Sequence, residues 1–355
     1  MVRLKHVSCS GPGIRRVRHG KGFRHLDAAG EPVTDAAVRQ RIQDLVIPPA
    51  WEDVWICSVA TGHIQATGVD VKGRRQYRYH DAWRLQRDLA KHDRILDFAA
   101  RLPAARERLR ADLGSEGLTR ARVLACAVRL LDLGFFRIGG EQYAAENQSY
   151  GLATLLKEHV TVATSSTGDP TVVFDYTGKS GKLWHKSLVE PEVGAVVTQL
   201  KQRRSGGQEL LAYRSGPGRG AVWVDVKSGD INDYLREATG GADTAKDFRT
   251  WSATVMAAIG LAVSTHAASE TARKRAVTRV VKEVAGQLGN TPAVCRASYI
   301  DPRIIDLYAD GVTIAADLEA LGADASYGSP AFQGAIEATV LALLREPAAA
   351  DRLAG

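Results

Sequence analysis

Near residue 85 the hydrophobic pattern of this chain changes its period, and that change restricts the folds open to it. Before it, apolar residues alternate over short runs parted by glycine, as in VWICSVA, HIQATGVD and RQYRYHD. Such runs are the signature of half-buried strands. FRHLDAAGEPVT reads as two more strands around an Ala-Gly turn, and a helix over about 35–45 and the turn VIPPAW interrupt the series. After residue 85, apolar residues recur every three or four positions, the spacing of one helical face. AWRLQRDLAKHDRILDFAARLPAARERLRADL predicts helices broken at Pro103, and TRARVLACAVRLLDLG predicts an amphipathic helix stopped by Gly134. Further helices are predicted at about 191–204, 229–238, 244–264 and 269–288, with a tail over 313–345. One β insertion stands among them. TVVFDYTGKSGKLWHKSL (171–188) is two alternating runs joined by TGKSG, a hairpin signal. The pattern predicts an α+β protein: a small β-rich domain over 1–85, then a larger, mainly helical domain over 86–355 that carries a β-hairpin.

Length and charge narrow the class. A chain of 355 residues exceeds one small core. No run of about 18 apolar residues is present, and MVRLKHVSCSG has no apolar signal region. A cytoplasmic protein without a membrane span is therefore expected. Cys9, Cys57, Cys126 and Cys295 are far apart, so neither a zinc site nor a disulfide framework is expected. The net charge of +7 is unevenly placed: residues 1–90 hold 15 basic and 9 acidic side chains, and the remainder is near balance. The excess lies in RRVRHGKGFRH and VKGRRQYRYH, where Lys72, Arg74, Arg75 and Arg78 interleave with Tyr77 and Tyr79. That mixture suits phosphate contact with base stacking, so a polyanionic partner is expected; a solvated basic face is the alternative.

Several cations sit at punctuated positions. Arg137 lies in GFFRIGGE, between two phenylalanines and two glycines. An arginine among apolar residues calls for an anionic partner. Lys246 and Arg249 in KDFRTWSA share one face at the start of an apolar helix. Cations there oppose the helix dipole, which an anionic ligand would relieve, with a salt bridge to Asp243 or Asp247 as the alternative. Lys179 occupies the hairpin turn, and GNTPAVCRASYIDP places Asn290 and Tyr299 after a long basic helix. A tyrosine can be a covalent nucleophile, arginine forks suit phosphate oxygens, and a lysine can protonate a leaving oxygen. This is a set for phosphoryl transfer by fixed cations. SGPGRG lacks the GK[ST] ending of a nucleotide loop and no acidic triad is visible, so no metal and no cofactor are expected.

From about residue 15 to 310 the chain resembles the bacterial, poxvirus-like type IB DNA topoisomerases. IPPAW and GHIQATGVDVKGRRQYRYH resemble the family's small DNA-clamping domain. FFRIGGEQYAAENQSYGLATL, TGKSGK, KDFRTW and LGNTPAVCRASYIDP resemble its catalytic segments. The resemblance implies that Tyr299 is the nucleophile of a 3′-phosphotyrosyl intermediate. Arg137, Arg249 and Asn290 would hold the phosphate, Lys179 would be the acid and Lys246 an accessory cation. Gln65, Lys72, Arg74, Arg75, Tyr77, Arg78, Tyr79 and Tyr143 would contact DNA. It further implies a monomer clamping duplex DNA in the nucleoid, without ATP, metal or other cofactor. One position departs from the pattern: eukaryotic and poxvirus enzymes carry a histidine where this chain has Asn290. Tyrosine site-specific recombinases share the chemistry, but usually show His-x-x-Arg where this chain has Lys246-Asp-Phe-Arg249. A non-catalytic DNA-binding protein would explain the charge without the catalytic set.

Overall fold

The structure is a computed structural model that describes residues 3–164, 170–216, 218–264, 269–320 and 333–346. It divides into two compact units, Met1–His92 and Asp93–Gly355.

The first unit is built on one antiparallel sheet. Its strands are β1 (Ile14–His19), β2 (Gly22–Leu26), β3 (Glu52–Ile56), β4 (Ile64–Val69) and β5 (Arg75–Tyr79), in the order β2-β1-β3-β4-β5. Helix α1 (Ala36–Asp44) starts at Asp35, whose carboxylate accepts from the backbone N–H groups of Ala37 and Val38. Ile14, Ile42, Val54, Ile56 and Ala66 form a small core between helix and sheet. The hairpin expected around Ala29-Gly30 is reduced to a short paired stub, with the Asp27 N–H donating to the Glu31 carbonyl at 2.8 Å and the Val33 N–H to the His25 carbonyl at 2.9 Å. The Asp27 carboxylate accepts from the N–H groups of Ala29 and Glu31 and closes a loop, leaving a single bridge between Leu26 and Pro32. The partner of β2 is β1, inside the RRVRH run, where charge obscured the alternation. Their turn rests on Gly20 at φ 57°. One arginine of that run is structural: Arg16 donates to the carbonyls of Ile47, Pro48 and Trp51 and so fixes the VIPPAW turn.

Helix α2 (Asp81–Leu113) begins in the first unit and ends in the second, and it runs unbroken through Pro103. A proline removes one backbone donor and crowds the preceding turn. Here Pro103 lies on the exposed face, where the helix can bend outward, while Phe98, Leu102, Leu109 and Leu113 bury the opposite face. Two further helices form the centre of the second unit. In α3 (Arg120–Gly134) and α7 (Ala245–Ala262) most side chains are buried, including Leu124, Leu130, Leu131, Trp251 and Ile259. Around them lie α4 (Glu141–Asn147), α5 (Pro191–Gln202), α6 (Ser228–Thr239), α8 (Glu270–Leu288), α9 (Pro292–Ser298), α10 (Pro302–Ala309), α11 (Ala315–Ala320) and α12 (Ala335–Arg345). The expected hairpin is present as β7 (Pro170–Thr177) and β8 (Leu183–Val189), with Tyr176 directly opposite Trp184. An additional strand, β6 (Val160–Thr164), pairs with β7. SGPGRG connects β9 (Ala212–Ser215) to β10 (Val222–Asp225), a second small hairpin not read from the sequence.

Candidate active site

Four breaks in the secondary structure and the end of α9 bring the proposed catalytic side chains together. The first is the end of α3. Phe135 caps it in the left-handed region at φ 57°, and the chain then turns so that Arg137 leaves the core. Gly139 and Gly151 approach so closely that a Cβ on Gly151 would lie 2.5 Å from the Gly139 Cα. The second break is the hairpin turn holding Lys179. The third is the first turn of α7, which carries Lys246 and Arg249. The fourth is the end of α8, where Gly289 at φ 62° caps the helix and Asn290 follows. Tyr299 then ends α9. Its carbonyl faces the buried Thr254 hydroxyl of α7 at 3.4 Å, and that hydroxyl accepts from the Asp301 N–H at 3.1 Å. Asp301 caps α10 and pairs with buried Arg303 at 2.7 Å, which fixes the chain just after the tyrosine.

Arg137, Lys179, Lys246, Arg249, Tyr143 and Tyr299 line a single cavity of about 340 Å³. The Arg249 guanidinium carbon lies 5.4 Å from the Tyr299 ring centroid, and the Lys246 Nζ 5.9 Å from it. Arg249 donates to the carbonyls of Phe135 and Leu288. Arg137 donates to the Gly289 carbonyl at 3.3 Å and to the Asn290 Oδ1. The carboxylates offered as alternative partners are taken: Asp243 pairs with Arg101 at 2.8 Å and Asp247 with Arg94 at 2.7 Å. Among the described residues, no carboxylate lies within ion-pair distance of the four cations lining the cavity. Two buried donors, Arg249 Nε and Asn290 Nδ2, meet no hydrogen-bond partner among the described residues. Donors and clustered positive charge arranged in this way suit an anionic ligand.

The field acts on the groups themselves. Burial would raise the Tyr299 phenol, but Arg249, then Arg137 and Lys246, outweigh it and hold the phenol below its ordinary value. Burial and the like charge of Arg137 pull the Arg249 guanidinium down to about 10. Lys186 on β8 was not singled out from the sequence. Its Nζ lies 4.6 Å from the Phe135 ring, and burial, then Arg249, draws its amine down to about 8. Thr254, Asp301 and Arg303 also went unread, because their roles depend on contacts between distant segments.

The first unit carries the other candidate DNA contacts. Tyr77 and Tyr79 are exposed and stacked with centroids 5.9 Å apart. With Arg78 and Gln65 they line a depression that also includes Arg41 and Arg84. Gln65 is only 4% exposed; it donates to the carbonyls of Val59, Ala60 and Gly62 and accepts from Arg41. Lys72 and Arg74 lie in the β4–β5 turn, where Arg74 pairs with Asp70 at 2.7 Å, and Arg75 opens β5.

Comparison with known proteins places the chain in a family. The family described as eukaryotic DNA topoisomerase I, catalytic core, matches residues 77–311, and that described as bacterial DNA topoisomerase IB, N-terminal domain, matches residues 22–70. The chain is 30% identical to DNA topoisomerase 1B of Acanthamoeba polyphaga mimivirus over 301 residues, 83% of this chain and 87% of that one. It is 23% identical to DNA topoisomerase I of Monkeypox virus over 312 residues, 86% of this chain and 85% of the relative. It is also 29% identical to DNA topoisomerase 1 of Schizosaccharomyces pombe over 169 residues, 47% of this chain and 19% of the relative. Family match, coverage and the residues of the cavity agree: this chain belongs to the type IB DNA topoisomerases.

Proposed function

We propose that the chain relaxes supercoiled duplex DNA by the following division of labour. Tyr299 attacks a backbone phosphodiester in line and forms a 3′-phosphotyrosyl bond, freeing a 5′-hydroxyl. Arg137, Arg249 and Asn290 stabilise charge on the non-bridging oxygens. Lys179 protonates the 5′ oxygen as it leaves, and Lys246 adds positive charge beside the phenol. The duplex swivels about the intact strand, and the 5′-hydroxyl then re-attacks. The energy of the broken bond is kept in the phosphotyrosine, so the cycle needs neither ATP nor a metal ion. The N-terminal domain, residues 1–85, and the catalytic domain, 86–355, act as a single-chain clamp on the bacterial nucleoid, with Tyr143 and the basic, aromatic face of the N-terminal domain on the DNA.

The observation that carries this reading is the meeting, in one cavity, of a phenol held below its ordinary value with four cations that have no carboxylate partner among the described residues. The test is Tyr299→Phe assayed on supercoiled plasmid in chelator without nucleotide. The wild-type protein should relax the plasmid. The variant should bind it and leave it supercoiled, because the ring keeps its packing and loses only the nucleophile. Relaxation by the variant near the wild-type rate would remove Tyr299 from this role.

A further inference from the structure

Lys179 stands on a turn with little beneath it. The Gly178 N–H donates to the Lys182 carbonyl at 2.7 Å, and Ser180 and Gly181 follow at φ 65° and 71°. Leu183 beyond the turn is 85% exposed. What the turn rests on is Trp184. A Cβ built on Gly178 would lie 2.6 Å from the indole Cδ1 and 2.8 Å from its Nε1. Gly178 has φ −96°, which any residue adopts, so the indole and not the backbone angle explains the glycine.

The other end of the same indole lies against Gly289, where a Cβ would come within 2.6 Å of Cζ2. Gly289 directly precedes Asn290, whose side chain accepts from Arg137. The indole is 9% exposed and stacks on Tyr176 with centroids 6.3 Å apart and planes 8° apart. Tyr176 stacks in turn on Phe136, the residue before Arg137, at 6.3 Å and 16°. One rigid aromatic column therefore touches the backbone immediately before three of the catalytic side chains. The two ends of the indole are not equivalent. The α8 corner is held by its own bonds, Gly289 N–H to Gly286 and Asn290 N–H to Ala285 at 2.9 Å. The Lys179 turn is tied from outside its hairpin only at its root, by the Tyr150 N–H to the Thr177 carbonyl at 2.8 Å, and residues 178–181 have no such bond among the described residues.

We propose that Trp184 is a positioning residue for Lys179: braced on the α8 corner, its indole sets the height of the hairpin turn and so delivers the lysine amine to the leaving oxygen. This rests on Lys179 acting as the acid. A flexible four-carbon side chain on a loose turn would be ordered only at an entropic cost, which a fixed turn removes in advance.

The experiment uses a leaving group that does not need the acid. Single-turnover cleavage is measured on an ordinary strand and on one with a 5′-bridging sulfur at the scissile phosphate. A thiolate leaves without protonation, since a thiol's pKa is near 8.5. The proteins are wild type, Lys179→Ala, Trp184→Leu, Gly178→Ala and the double variant Gly178→Ala with Trp184→Phe. Melting and DNA retention report folding and binding. Trp184→Leu and Gly178→Ala should each slow the ordinary strand by about tenfold or more, part of the 10²–10⁴ typical of losing a general acid. Both should cleave the sulfur strand near the wild-type rate. The double variant should exceed Gly178→Ala alone on the ordinary strand, because the phenyl ring vacates the space the new methyl needs. Equal slowing on both strands, or no slowing on either, overturns the proposal. If Lys179→Ala is rescued by sulfur and the Trp184 and Gly178 variants are not, the positioning role fails and the acid stands. If sulfur does not rescue Lys179→Ala, the acid assignment fails and the positioning role falls with it.

Discussion

Arg249 is the residue on which the site's packing and its chemistry meet. Two of its nitrogens are committed to the carbonyls of Phe135 and Leu288, the ends of α3 and α8, and its Nε meets no hydrogen-bond partner among the described residues. It thus ties two helix ends together and still presents charge to the cavity. Arg249→Lys keeps one charge and loses the fork. At least one carbonyl then loses its donor, costing about 1–3 kcal/mol of stability. The loss of a fixed donor on the phosphate should also slow cleavage by about 10²–10³. Thermal melting and single-turnover cleavage check both, and a variant that melts lower yet cleaves at the wild-type rate would reduce Arg249 to a structural tie. Lys246 gives a cleaner electrostatic test, since it makes no bond to the phenol and acts through its field. Because the cations lower the Tyr299 phenol, removing one must raise it. In Lys246→Ala the rise of cleavage rate with pH should move to higher pH, with the loss greatest at low pH and shrinking as the phenol ionises. An unmoved profile would show that Lys246 does not act on the phenol.

At the scale of elements, what the sequence revealed depended on how local the cause was. The helix end at Gly134, the end of the long basic helix before Asn290, and the TGKSG turn could be read because their signals lie within a few residues of the feature. The segments of Arg137, Lys179, Lys246, Arg249 and Tyr299 were singled out by their punctuation and by the family resemblance, and the structure brings these five side chains to one cavity. β1 could not, since its outward face is charged and its inward face short, and α2 was wrongly broken at Pro103, since only tertiary burial reveals that the helix survives there. Trp184 and Thr254 were silent because their meaning lies in contacts between segments far apart in the chain. The same distinction sorts the basic residues of the first unit. Arg16 serves three carbonyls, and Arg74 is held by Asp70, whose carboxyl it keeps well below the usual range. Arg75 has no such internal carboxylate among the described residues and opens the exposed strand of Tyr77 and Tyr79. If this face meets DNA, Arg75→Ala should reduce the slope of log affinity against log salt by about 1, the value of one phosphate contact. Arg74→Ala should reduce it less, because its charge is already partly neutralised by Asp70. Equal slopes for all three proteins would take the β4–β5 hairpin off the DNA.

At the scale of the whole molecule, the family match ends at residue 311, yet the chain beyond it is built into the core of the second unit. Helix α12 buries Ile336, Val340 and Leu344. Its Glu337 accepts from the Trp251 indole at 2.9 Å and from Arg106, which also grips Asp132 of α3 at 2.8 Å. Arg129 closes the group, reaching Asp132 at 2.8 Å and Glu190 at 2.9 Å. Arg106 is 6% exposed, so its charge depends on these carboxylates, and they raise its guanidinium further above its ordinary value despite burial. One polar network therefore joins α2, α3, α7 and α12, and its Trp251 lies two residues from Arg249 on α7. Glu337→Gln tests whether α12 serves the fold or the chemistry. The amide keeps an oxygen for the indole but loses the charge that faces Arg106. With Asp132 still in place, the cost should be about 1–3 kcal/mol, the range for an imperfectly satisfied buried group. Melting should fall accordingly, while cleavage per folded molecule stays at the wild-type rate, because Glu337 touches nothing in the cavity. Deleting residues 333–355 should do far more, since it also removes the three buried apolar side chains, exposes the core they pack on, and leaves the Trp251 N–H without its acceptor. An unchanged melting temperature in Glu337→Gln would show that the network adds no stability. A slowed cleavage step at full folding would mean that α12 reaches the chemistry through α7.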